Sequence, residues 1–140
     1  MTQELLLKDL CARLSYGVKF ACNKNVYTAK GLDLIITDEG DWEYAVTAKG
    51  IAPIEIDFIK PYLFPLSSMT EEQKKELKHE ISKQTDILIE RMINDNYGID
   101  CGKYHFHSIL ELEWLHKHHF DYRGLIEKGL AIDATGKNIY

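Results

Sequence analysis

Disulfide chemistry, membrane insertion and a basic surface are all missing from this sequence, and each absence removes a class of protein. Its three cysteines, Cys11, Cys22 and Cys101, are dispersed with no CxxC spacing, which excludes a disulfide framework and fits a reducing compartment. No stretch approaches the roughly 20 apolar residues that span a bilayer. Met1 to Asp9 also lack the basic start and apolar run of a signal peptide. The chain therefore reads as soluble, unexported and cytoplasmic. Lys and Arg number 17 against 22 Asp and Glu, a net charge of −5. The deficit is even, with 7 basic and 9 acidic groups over residues 1–68 and 10 and 13 over 69–140. The electrostatic footprint of a nucleic-acid binder is missing. There is no internal repeat and no low-complexity segment.

What is present is enough to build a core. With 140 residues and 45% hydrophobic composition, the expectation is a single α+β domain over 1–140. Residues 1–66 would form a helix plus a small β-sheet, and 67–140 a helical part packed against it. From Gln3 to Leu14, Leu6, Leu7, Leu10, Cys11 and Leu14 recur at helical spacing, which makes Cys11 a small core residue. After Gly17 the period changes to 2. Val18, Phe20 and Cys22 alternate with polar or small residues. Asn23-Lys24-Asn25 is a turn, Val26 to Thr37 is extended with a bulge at Gly31, and Asp38 to Asp41 is a turn. Trp42, Tyr44 and Val46 then alternate with Glu43, Ala45 and Thr47, and Ile54, Ile56 and Phe58 with Glu55 and Asp57. These segments predict an antiparallel meander of three to five strands, a small sheet or an SH3-like barrel.

Ile59 to Ser68 reads as an extended apolar connector held by Pro61 and Pro65. Helix two begins at the capping box Thr70-Glu71-Glu72-Gln73 and runs to about Asn94, with a narrow apolar seam suited to one helical partner, in this chain or in a second copy. Helix three begins at a second capping box, Ser108 to Glu111, and ends near His119. Asp121 then caps a short last helix, Tyr122 to Lys128, stopped by Gly129, and the tail from Ala134 frays.

Five of six histidines, His105, His107, His116, His118 and His119, fall close together near Cys101. Cys101, His105, His116 and His119 are the candidate metal ligands, since zinc needs three or four convergent N, S or O donors. The set matches no established motif, and partly buried or solvated histidines are the favoured alternative. No cofactor is implied. Asp33, Glu43, Glu55 and Asp57 alternate with apolar residues and read as the charged face of a half-buried sheet. Tyr27, Trp42 and Tyr44 could stack on bases or grip a peptide, although barrel core is the favoured place for Trp42 and Tyr44.

Three blocks carry a resemblance. They are Leu5 to Leu14 followed by Tyr16-Gly17-Val18-Lys19, Ile59 to Leu63 with Pro65 to Thr70, and His119 to Ala131. Together they resemble a group of short uncharacterised proteins encoded by gut bacterial phages, prophages and mobile elements. The resemblance implies a phage or host cytoplasmic setting and brings no activity with it. Physically, the blocks read as one structural junction in which Phe120 and Tyr122 pack on the Pro61-to-Pro65 connector. The sharper reading makes Tyr16, Lys60, Tyr62, Asp121, Tyr122 and Arg123 a polar and aromatic surface for a partner. The expectation is a non-enzymatic protein-interaction module that binds another protein, or itself, through the sheet's open face or helix 70–94. The alternatives are a nucleic-acid-binding barrel and a metal-dependent enzyme using the His105-to-His119 cluster.

Overall fold

The computed structural model describes residues 2–80, 82 and 110–140. The chain is α+β and divides into two compact units, one formed by Met1–Leu66 with His119–Tyr140 and the other by Ser67–His118. The division expected after Leu66 is where the first unit breaks off. The segment from His119 onward, expected within the helical part, returns to the first unit.

In that unit α1 (Thr2–Arg13) leads through a short 3-10 turn to β1 (Lys19–Cys22), β2 (Asn25–Ile36), β3 (Trp42–Ala48) and β4 (Ile54–Glu55). A second 3-10 turn over Ile56–Phe58 precedes β5 (Lys60–Pro65), and the returning chain adds β6 (Phe120–Asp121) and β7 (Ile132–Asp133). Among the described residues the sheet has seven strands in the order β4-β3-β2-β1-β5-β6, with β7 also on β5, and it is open. The SH3-like barrel is therefore corrected, and the sheet is mixed, because β5 pairs antiparallel with β1 but parallel with β6 and β7.

Local chemistry explains most of these elements. Asn23 and Lys24 both take positive φ, 48° and 67°, as a two-residue hairpin loop requires to match the strand twist. The register of β2 on β3 shifts between Ala29 and Gly31, and a Cβ at Gly31 would come within 3.2 Å of Thr47 Oγ1. The expected bulge is thus present and has a packing reason. Ile56 to Phe58 is a 3-10 turn where a strand was expected, yet Ile56 still reaches the core at 2% exposure.

One other expectation is sharpened and two are overturned. The connector at Ile59 to Ser68 is extended and packed, as expected, but most of it is a strand of the sheet, with Pro61 and Leu63 in the core and β1, β6 and β7 beside it. The last helix, Tyr122 to Lys128, is instead a run of turns. Asp121 still caps it, with Oδ1 accepting from Leu125 N–H at 3.0 Å and Oδ2 from Ile126 N–H at 2.9 Å. The tail is not frayed, since Ala134 is buried and its N–H donates to the Leu63 carbonyl at 2.8 Å.

The core gathers Leu6 and Leu10 of α1, Val18, Phe20 and Cys22 around β1, and Val46, Ile56, Ile59, Leu63, Leu125 and Ala131. Burying each Leu, Val or Phe there contributes about 1.5–3 kcal/mol. Cys22 is a core residue as expected, but Cys11 is exposed. The buried stripe of α1 is Leu6, Asp9, Leu10 and Arg13, so the helix is turned from its most apolar face to bring two charges inside.

In the second unit the capping box at Thr70 is formed. Thr70 Oγ1 accepts from Gln73 N–H at 3.1 Å and Gln73 Oε1 from Thr70 N–H at 3.0 Å. The helix α2 it starts is described over 71–80, and its expected run to Asn94, like the cap at Ser108, lies outside the described residues. The helix α3 is described over 110–117.

Candidate interaction surface

The polar residues expected to face a partner fall into different environments. Asp9 and Arg13 are fully buried and joined by Arg13 Nε–H to Asp9 Oδ2 at 2.8 Å. An Arg13 Nη2–H also donates to the Phe120 carbonyl, fastening α1 to β6. Arg123 Nε stands 3.3 Å from Asp9 Oδ1, and the Arg123 guanidinium lies over the Tyr122 ring at 4.9 Å. Burial holds the Tyr122 phenol above its ordinary pKa against the pull of Arg123. Asp121 is buried and serves as a cap, while the half-buried Tyr122 and Arg123 lie against Arg13 and Asp9. Tyr16 and Lys60 are exposed, on the turn after α1 and at the start of β5, and Tyr62 is half-buried between Pro61 and Leu63. Phe64 packs on Phe120 with ring centroids 6.1 Å apart. The blocks around Arg13, Phe64 and Phe120 therefore meet, as the junction reading expects.

A second cluster is built on Tyr140. Its hydroxyl accepts from Lys19 N–H and donates to the Tyr62 carbonyl, both at 2.8 Å. Its ring stacks on His119 at 3.7 Å between centroids and 10° between planes. Burial of this phenol pushes its pKa up to about 12. Folding thus favours the protonated form. Its contribution is fully present below the ordinary tyrosine pKa of about 10 and is lost as pH rises through the folded value. Tyr140→Phe should destabilise the chain by about 0.5–1.5 kcal/mol near neutrality, because it removes two hydrogen bonds to backbone groups that water can partly reach. The gap between variant and native protein should narrow in denaturant titrations as pH rises between about 10 and about 12; a constant gap would contradict the assignment.

Of the metal candidates, His116 and His119 are described. His119 lies beyond α3 with a φ of 62°, and its ring stacks on Tyr140. Its carbonyl accepts from Phe64 N–H at 2.8 Å. His118 instead packs on Trp114, with 4.2 Å between ring centroids. Cys101, His105 and His107 lie outside the described residues, and among the described residues no group of three or more His, Cys, Asp or Glu could hold a metal ion.

The surface that the sequence placed wrongly is the β2–β3 ribbon. In this register Leu32 faces Val46, Leu34 faces Tyr44 and Ile36 faces Trp42. Since a strand alternates its faces, all six side chains share one face. Val46 is buried, but the same face then runs out from the core into solvent. Leu34 is 51% exposed, Tyr44 47%, Ile36 60% and Trp42 67%. Trp42 and Tyr44, expected as core, are surface residues. The opposite face pairs Asp33 with Ala45 and Ile35 with Glu43. Burial pushes the Glu43 carboxyl pKa up, and the carboxylates of Glu55, Asp57, Asp41 and Glu39 push it the same way. An open cleft of about 480 Å³ lies near the base of the ribbon, lined among others by Tyr27, Ile35, Ile51, Ile54, Glu55 and Phe58. Phe58, at 68% exposure, extends the apolar surface there.

No family model, no curated protein and no solved structure matches the chain. Among the described residues no helix is long and apolar enough to cross a membrane.

The exposed ribbon was half legible. The period of 2 was visible from Trp42 to Val46, but nothing in the sequence tells where along a strand the covering layer stops.

Proposed function

We propose that the chain is a non-enzymatic interaction module that holds another protein on the exposed face of the β2–β3 ribbon. The observation that carries this reading is the run of four large apolar side chains, Leu34, Ile36, Trp42 and Tyr44, in contact register and about half or more exposed. Contiguous apolar patches of this kind mark interaction sites, whereas single exposed apolar residues are ordinary. Tyrosine and tryptophan are also the residues that dominate binding energy where partners meet. The surrounding carboxylates weigh against the nucleic-acid alternative, since stacking on Trp42 would bring phosphates beside Asp41 and Glu43. The resemblance of the three blocks supports a phage or mobile-element origin and a cytoplasmic setting.

Two measurements test the reading. Ile36→Lys and Trp42→Lys should each change folding stability by no more than about 0.5 kcal/mol in urea denaturation, as surface substitutions do. A photo-crosslinking amino acid at Trp42 should give a discrete protein adduct in cells, and the same group at exposed Lys49 should not. Identical adducts at both positions, or none at position 42, would contradict the proposal.

A further inference from the structure

We propose that the partner presents an extended segment of alternating apolar and Lys/Arg residues, which adds as a strand to the free edge of β2 over Gly31–Ile36. This deepens the preceding reading and rests on the ribbon being the docking surface. Over Gly31–Ile36 one edge of β2 pairs with β3. On the other edge β1 reaches only Asn25 to Thr28, followed by a single bond from Ala29 N–H to the Val18 carbonyl at 2.9 Å. Among the described residues no strand continues that edge. The Leu34 N–H is held by the Asp33 carboxylate at 2.9 Å, and a charge placed over the main chain is how an exposed edge is protected from indiscriminate pairing.

The two faces of the ribbon specify the segment. An added strand alternates its side chains as β2 does. One set would lie beside Leu34 and Ile36, on the face that also carries Trp42 and Tyr44. The other set would lie beside Asp33 and Ile35, on the face that carries Glu43. From Asp33 to Glu43 the chain has five carboxylates, Asp33, Asp38, Glu39, Asp41 and Glu43, and no Lys or Arg. Charge complementarity therefore asks for apolar side chains on the first face and a cationic one beside Asp33 on the second, drawn in further by the acidic turn that follows. A second copy of this chain would set the same acidic edge against itself, and like charges facing across strands destabilise. Strand addition supplies affinity through main-chain bonds and specificity through alternate side chains.

Calorimetric titration of the full chain with a short synthetic peptide alternating Val and Lys tests the proposal. The controls are the same composition in a non-alternating order, an alternating Val–Glu peptide, and the Val–Lys peptide with N-methylated amides. The alternating Val–Lys peptide should bind about tenfold or more tightly than each control. Its affinity should fall with added salt and drop by a similar factor in the Ile36→Lys/Trp42→Lys chain. Absence of binding, or equal binding of the non-alternating or N-methylated peptide, would overturn strand addition. If such a control peptide binds well but is lost in the Ile36→Lys/Trp42→Lys chain, the ribbon stands as the docking surface and only the strand geometry fails. If no peptide distinguishes the variant from the native chain and position 42 gives no photo-adduct, the ribbon itself is overturned.

Discussion

Replacing Arg13 with Met should destabilise the chain by about 3–5 kcal/mol, the usual cost of breaking a buried ion pair from one side. Neither Asp9 nor Arg13 has any exposed side-chain surface. Removing the guanidinium takes away the 2.8 Å partner of Asp9 Oδ2 and the donor to the Phe120 carbonyl. Arg123, 3.3 Å from the other carboxylate oxygen, would soften the loss without replacing either bond. The pair as a whole is a different matter, because burying two charges costs desolvation that their attraction only partly offsets. Asp9→Leu combined with Arg13→Met should therefore recover most of the stability lost in the single variant. Urea denaturation of the native chain, the two single variants and the double variant closes the cycle. A loss below about 1 kcal/mol for Arg13→Met would show that the pair is not buried and that α1 is not fastened to β6 through it.

Asp121→Ala should cost about 2–4 kcal/mol. A carboxylate accepting a backbone N–H contributes about 1.5–3 kcal/mol, and Asp121 accepts two, from Leu125 and Ile126. Leu125 is fully buried, so the turn that Asp121 holds also anchors a core side chain. Asp121→Asn should lose less, since the amide oxygen still accepts one bond without the charge. Hydrogen exchange gives the local readout. The Leu125 and Ile126 amides should lose protection in Asp121→Ala before the amides of β1 and β2 do, and equal loss throughout would assign Asp121 a global role instead.

Strand periodicity and turn chemistry made much of the first unit legible. Phe20 and Cys22 announced β1, Asn23-Lys24 the hairpin loop and Gly31 the bulge, because each of those signals acts within a few residues. Asp121 announced a cap correctly but the wrong element after it, since a cap satisfies turn amides as well as helix amides. The inward face of α1 was misread for a physical reason. Hydrophobic spacing alone pointed to Cys11 and Leu14, whereas the fold buries Asp9 and Arg13, whose charges satisfy each other and a carbonyl from the distant Phe120. That bond spans 107 positions, and no local pattern records it. The same holds for β5, whose prolines signalled an extended chain while its partners β6 and β7 arrive only after residue 119. The candidate surface was hidden because Trp42 and Tyr44 alternate like core residues and are exposed only because the ribbon continues past Leu32 and Val46.

The most direct test of the open ribbon is the fluorescence of Trp42 in a Trp114→Phe chain, in which it is the sole remaining tryptophan of the two. With Trp42 at 67% exposure, emission should be red-shifted and quenched by acrylamide, a neutral quencher that the flanking carboxylates do not repel, almost as efficiently as free indole. Adding the alternating Val–Lys peptide should shift the emission to the blue and protect it from the quencher. Blue, shielded emission from the chain alone would mean that the Leu34, Ile36, Trp42 and Tyr44 face is already covered, and the ribbon would not be the binding surface.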